Sequence, residues 1–292
     1  MSFDLVPLAA ALERCKPFWE NVAPQPRVLI SFSPPGPSLD CLFEGMAPGE
    51  VAWIAGWPVQ GKTSLGLDLA VRASRCGPVT FLSRCATPQN LAARVVSQVS
   101  GIGCAKVSLG FLTAKESAHV SEVAADLAAC RLTFGSWEDG GDDARVDLPG
   151  MEALRGPEPP VLAFVDDLGL SSATFPWDAR RLRRHLDAWR KAAQDARVPL
   201  VLLVGLPWPP GGDDGQPDLI DLAEAGLPLN QARTVLLLKR FANRGPPEPR
   251  GFYQDELKIT VARWPGRLGG SIVLCVFQRD NGQIVPRPGF RP

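Results

Sequence analysis

Residues 56–64 read GWPVQGKTS and set Gly56, Gly61, Lys62 and Thr63 at the spacing G-x-x-x-x-G-K-[ST]. Each residue type in that pattern has a physical reason. Glycine lets the backbone curl so that successive amides face one anion, and the loop feeds a helix whose N-terminal end is electropositive. Lys62 is expected to reach the β- and γ-phosphates of a nucleotide, and the Thr63 hydroxyl to take one coordination place on Mg²⁺. With Pro58, Gln60 and Ser64 these residues make up the expected binding loop, and ATP with Mg²⁺ is the expected ligand.

A phosphate loop that works with Mg²⁺ needs an acid beside it. The run Pro160-Val-Leu-Ala-Phe-Val-Asp166-Asp167 reads as a buried strand ending in acid, which puts a carboxylate at the edge of the sheet where the loop lies. Asp166 is the expected Mg²⁺ acid, in contrast to a surface turn acid with no role. Asp167, next to it, stands where several other P-loop classes keep a base and is a candidate to orient the attacking water.

The elements that must position these groups can be read from hydrophobic spacing. Glu50–Gly56 is a strand, and Ser64–Arg75 is a helix with Leu65 and Leu69 on one face and Gly77 as its stop. Further strands are expected over 79–83, 198–206, 234–239, 257–262 and 270–277, and helices over 88–100, 113–130 and 178–196. In helix 113–130, Val120, Val123, Leu127 and Cys130 fall at helical spacing. Such alternation implies an α/β fold with a mostly parallel sheet flanked by helices.

Composition bounds the rest. The chain has 292 residues, 45% of them hydrophobic, which supplies a real core in one large domain or two small ones. Lys+Arg and Asp+Glu are both 31, so global charge carries no nucleic-acid signal, although a local basic face remains compatible with that balance. No apolar run reaches the length of a membrane span, and the N-terminus lacks the basic region of a secretory signal. The seven cysteines are scattered without a C-x-x-C pair, and the two histidines have no second ligand nearby in sequence, which argues against a His/Cys metal site and for a cytoplasmic protein with reduced thiols. Pro and Gly cluster at 34–37, 207–217, 245–251 and 286–292, read as loops and a tail.

The stretch 36–64, GPSLDCLFEGMAPGEVAWIAGWPVQGKTS, resembles the start of the ATPase domain of hexameric replicative DNA helicases of the DnaB type. Gly36, Leu39, Asp40, Gly45, Met46, Pro48, Gly49 and Glu50 carry the match, part of which KaiC-like ATPases share. Ser100-Gly-Ile with Leu109-Gly-Phe-Leu-Thr113, then Val198–Leu203, Asp221–Gly226 and Thr234–Arg240, follow that family's order. The resemblance implies a RecA-like P-loop NTPase core over 36–280. It leaves 1–35 as a linker-like helix (within 4–20) plus a Pro-rich connector, and 281–292 as a Pro-rich tail; the family's separate N-terminal domain has no counterpart. It also implies a homo-oligomeric ring, single-stranded DNA and a replication protein as partners.

The departures bear on turnover. The family carries a Glu just past the strand at 79–83 that polarises water, and Cys85 stands there. It places Ser-Gln after the strand at 198–206 to sense the γ-phosphate, and Val204-Gly205 occupies that place. Its Lys-x-Arg pair, which reaches into the neighbouring subunit's ATP site, corresponds to Arg263-Trp-Pro-Gly-Arg267, with a cation kept at Arg263 and the finger arginine lost or moved to Arg267. An arginine finger can be worth about 10³–10⁵ in rate, so slow hydrolysis or none is implied. Two readings stay open: a ring-forming helicase or translocase with weakened hydrolysis, and a non-catalytic, nucleotide-dependent assembly or regulatory protein. A KaiC-like or recombinase-like regulatory ATPase is a weaker third.

The expected DNA-gripping loops, 169–177 and 207–218, carry no basic residue. Basic residues concentrate instead at Arg180, Arg181, Arg183, Arg184, Arg190 and Lys191, outward of an apolar stripe of Leu182, Leu186 and Trp189. A solvated face or subunit contact is the plain reading of that cluster, and nucleic-acid contact the sharper one.

Overall fold

Short runs of Val, Leu and Ile bounded by Gly and Pro form the centre of the molecule. The computed structural model describes residues 46–136, 149–155, 158–168, 179–207, 215–242, 254–264, 267–268, 270 and 272–286. The N-terminal segment, both expected DNA loops for most of their length, and the last residues lie outside them.

The strands are β1 (Val51–Gly56), β2 (Val79–Ser83), β3 (Leu132–Ser136), β4 (Leu162–Leu168), β5 (Leu200–Gly205), β6 (Thr234–Phe241), β7 (Gln254–Trp264), β8 (Arg267–Leu268), β9 (Ile272–Gln278) and β10 (Ile284–Pro286). They join into one sheet of order β10-β9-β7-β6-β1-β5-β4-β2-β3, with β8 paired to β7. The pairings β2–β3, β2–β4, β4–β5, β1–β5 and β1–β6 are parallel. From β7 onward the pairing is antiparallel. The RecA-like α/β fold with a mostly parallel, helix-flanked sheet is therefore what the chain adopts.

Helices α1 (Lys62–Ala73), α2 (Pro88–Ser100), α3 (Cys104–Leu109), α4 (Ala114–Ala128), α5 (Ala179–Ala196) and α6 (Leu219–Glu224) cover it. Two cores follow from alternation in the strands. On one face Ala52, Ile54, Phe81 and Phe164 pack with Leu65 and Leu69 of α1 and Leu91 of α2. On the other, Trp53, Ala163 and Val165 pack with Leu182, Leu186 and Trp189 of α5. The apolar stripe expected on α5 is buried, and Arg180, Arg183, Arg184 and Lys191 are exposed.

Several boundaries differ from expectation for local reasons. Helix α1 begins at Lys62, so Lys62 and Thr63 occupy its first turn. It ends at Ala73, where the Ser74 hydroxyl donates to the Val71 carbonyl at 2.7 Å; Gly77 is not its cap. Gly77 lacks a side chain because a Cβ there would stand 2.8 Å from Val161. Strand β4 runs past Asp166 to Leu168, since a register shift against β5 between Val165 and Leu168 resets the alternation and turns Leu168 into the core of Val165. Strand β10 extends the sheet into the stretch read as a tail, pairing Ile284 with Phe277. Strand β3 and helices α3 and α6 were not expected.

Candidate nucleotide site

The phosphate loop leaves the C-terminal end of β1 and folds under its own lysine. Lys62 Nζ donates to the carbonyls of Gly56 at 3.1 Å and Trp57 at 2.9 Å. Two positive φ angles, 55° at Val59 and 94° at Gly61, turn the loop. Gly61 is the N-cap of α1, with no side-chain cap and no acid in the first turn, so the helix's leading amides are left to an external acceptor. Both motif glycines are sterically required. A Cβ on Gly61 would come within 3.2 Å of the Phe277 ring, and one on Gly56 within 2.9 Å of the Leu238 carbonyl oxygen.

The acid arrives from β4. Thr63 Oγ1 lies 3.0 and 3.2 Å from the two carboxylate oxygens of Asp166, and Ser83 Oγ donates to Asp166 Oδ2 at 3.1 Å. Ser83 and Asp166 face each other across the β2–β4 pairing, and Asp166 is 3% exposed. A hydroxyl and a carboxylate in contact beside a phosphate cradle suit Mg²⁺, which prefers one or two carboxylates, phosphate oxygens and retained waters to an all-protein cage. Thr63 and Asp166 would hold it. Among the described residues no group of three His, Cys, Asp or Glu side chains is arranged for a metal.

A cavity of about 550 Å³ opens over the loop, with Pro58, Gln60, Gly61, Lys62, Thr63 and Ser64 as its floor. Asp166 and Cys85 line one side. Cys85 is exposed in the β2–α2 connection, where the resemblance puts the water-polarising Glu. At the end of β5, Val204 and Leu206 are fully buried and Gly205 pairs with Gly56, so no polar side chain of these residues reaches the cavity. Arg263 is not among the lining residues; its Nη1 donates to the Leu229 carbonyl of the same chain. Arg267 pairs with Trp264 in the β7–β8 hairpin, and the side chains of Arg267 and Asp167 lie outside the described residues.

The structure adds groups the sequence pattern did not reveal. Ser83 donates to Asp166, the acid expected to hold Mg²⁺; its only signal was a hydroxyl at the end of an apolar strand. Arg94 of α2, Arg240 of β6 and the turn Arg279–Gly282 also line the cavity, brought there by the packing of α2 and by strand pairing rather than by spacing along the chain. Gln98 ties the turn to the loop, its Nε2 donating to the carbonyls of Ser64 and Gly282, each at 3.0 Å.

Comparison with known proteins agrees with this fold. The DnaB-like helicase C terminal domain family matches residues 36–269. Among solved structures, that of a DnaB-like replicative helicase and its interactions with primase superposes with a TM-score of 0.71 at 17% identity, covering 97% of this chain and 67% of that one. A second solved structure, an ATPase domain, superposes with a TM-score of 0.69 at 18% identity, covering 97% of this chain and all of that domain. No curated protein matches the sequence.

Proposed function

This chain belongs to the DnaB-like helicase C-terminal domain family, and we propose that it is a nucleotide-binding module of the replicative-helicase type that holds ATP firmly and hydrolyses it slowly. The observation that carries the first half is the joint placement of Lys62, Thr63, Asp166 and Ser83 around a sterically fixed glycine loop. The loop amides and Lys62 would hold the phosphates. Thr63 and Asp166 would hold Mg²⁺, which supplies charge neutralisation to the phosphates when bound.

The second half rests on what stands around the γ-phosphate end. Cys85 is at the place of the family's Glu, and a thiol is a poor group for polarising water. Arg263 is engaged with the Leu229 carbonyl. Asp167 is the candidate substitute base, and Asp167→Asn should lower whatever turnover exists; equal rates would remove it from the mechanism. Arg267, with Arg263, is the candidate cation offered to a neighbouring subunit.

The acting form we propose is a ring that engages single-stranded DNA and a replication protein; a DnaB-like relative was solved with its interactions with primase. The second reading, a non-catalytic protein that uses bound ATP to order an assembly, is favoured by Cys85. Equilibrium titration with ATP and Mg²⁺ tests the shared part. Lys62→Ala should weaken binding about tenfold or more, the worth of a charge-assisted hydrogen bond, and unchanged affinity would remove the loop as the site.

A further inference from the structure

Helix α5 opens with a concentration of charge that the nucleotide site does not use. Residues 179–186 carry Arg180, Arg181, Arg183 and Arg184 and no acid. Arg180, Arg183 and Arg184 are exposed, while Leu182, His185 and Leu186 between them are buried. Cations at the start of a helix oppose its dipole, so this placement works against the stability of α5. The first acid along the helix, Asp187, accepts from Gln231 Nε2 at 2.9 Å and lies 3.9 Å from Arg190 Nη2.

Topology sets where the cluster stands. Strands β4 and β5 are parallel, so α5 runs back between them and begins at the sheet edge that carries the phosphate loop after β1. Leu182 and Leu186 pack on the face of Trp53, whereas Leu65 and Leu69 of α1 pack on the face of Ile54. The arginines and the nucleotide cavity therefore share an edge of the sheet but belong to opposite faces, and none of these arginines lines the cavity.

The end of α6 closes on the same place. A Cβ on Gly226 would come within 2.9 Å of the Ala179 Cβ, and Arg183 Nε donates to the Gly226 carbonyl. The helices entered from connections 169–177 and 207–218 thus meet at the arginines, and neither connection carries a basic residue. Of the acids at α6, Asp218 and Asp221 close its capping box, which leaves Glu224 against the arginine cluster.

We infer that Arg180, Arg181 and Arg184 form a track for the phosphates of single-stranded DNA, with Arg183 as the positioning residue that holds α6 against it. The track supplies the positive charge that the two connections lack. A guanidinium presents forked donors that match phosphate oxygens, and a polyanion meets such a cluster repeatedly where a single carboxylate would meet it once. This names the surface for the DNA engagement proposed above and rests on it. DNA and ATP are then held by separate residues on the two faces of one sheet.

The test is fluorescence anisotropy of a labelled oligothymidine, titrated with ATP and Mg²⁺ present at several salt concentrations. The proteins are wild type, the double variant Arg180→Gln with Arg184→Gln, and the double variant Arg180→Lys with Arg184→Lys. Each phosphate contact on a single strand contributes about 0.7 to the slope of log affinity against log salt, so the Gln pair should bind more weakly and flatten the slope by about 1.4. The Lys pair keeps both charges and should keep the slope. Removing charge that opposes the helix dipole favours folding, so the Gln pair is expected to unfold at no lower urea concentration than wild type. An unchanged slope in the Gln pair, with wild type bound, would overturn the inference and leave the DNA reading standing. Loss of the ATP-dependent assembly by light scattering in the Gln pair would make these arginines a subunit contact and overturn it too. No binding of the oligonucleotide by wild type at any salt concentration would overturn the DNA reading, and this inference with it.

Discussion

Cys85 and Cys104 both line the cavity, whereas Cys76 is exposed elsewhere and Cys275 is buried. Burial, with a smaller contribution from the Asp68 charge, pushes the Cys275 thiol up to about 12, so it stays protonated and unreactive. Alkylation followed by peptide mass spectrometry should therefore show ATP with Mg²⁺ protecting Cys85 and Cys104, leaving Cys76 unchanged and Cys275 unlabelled throughout. Labelling of Cys85 that ignores nucleotide would place the ligand elsewhere. At this scale the grouping of the motif residues on one loop was legible because their spacing falls within nine positions. Ser83, Arg94, Arg240 and Arg279 were not, because the pairing of β2 with β4, of β6 with β1 and of β7 with β6 and β9, and the packing of α2 on the sheet, bring them to the loop.

Among the elements, those with strong caps or uniform patterns were read closely. Strand β2 and helix α2 fall where expected, the latter because Thr87 caps it, Pro88 opens it and Gly101 ends it in a left-handed turn. Helix α4 starts in a reciprocal capping box of Thr113 and Glu116. Lys106 donates to Glu116 at 2.7 Å, and that bond, with those from Thr113, lowers the Glu116 pKa from 4.5 to about 2. The folded value lies below the unfolded one, so the stabilisation is present above pH 4.5 and is lost as pH falls toward 2. Urea midpoints of wild type and Glu116→Gln should differ by a constant amount near neutral pH and converge in that acid window; parallel curves down to pH 2 would contradict the capping account. Strand β3 escaped notice because Gly135 sits inside it, where a Cβ would meet Leu82 at 2.8 Å, and glycine weakens a strand pattern. The β4 irregularity escaped because two adjacent aspartates read as a strand end, when a register shift and the buried Leu168 carry the strand past them.

For the whole molecule, the two-sided parallel core and the loop at its edge specify the fold, and composition alone specified only that a core existed. The ring expectation belongs here: light scattering with ATP and Mg²⁺ should show an assembly several times the 31.4 kDa chain, and a monomer under those conditions would end it. The same cavity sets the phosphate loop beside Cys85, a thiol at the place of the family's water-polarising Glu. The most direct measurement is the steady-state rate of ATP hydrolysis, with single-stranded DNA present, by wild type and by Cys85→Glu. A carboxylate at that position restores a positioned base, a contribution of roughly 10²–10⁴ where such groups act. Turnover should be slow in wild type and clearly faster in Cys85→Glu. Wild-type turnover near the enzyme median of about 10 s⁻¹, unimproved in Cys85→Glu, would contradict this expectation.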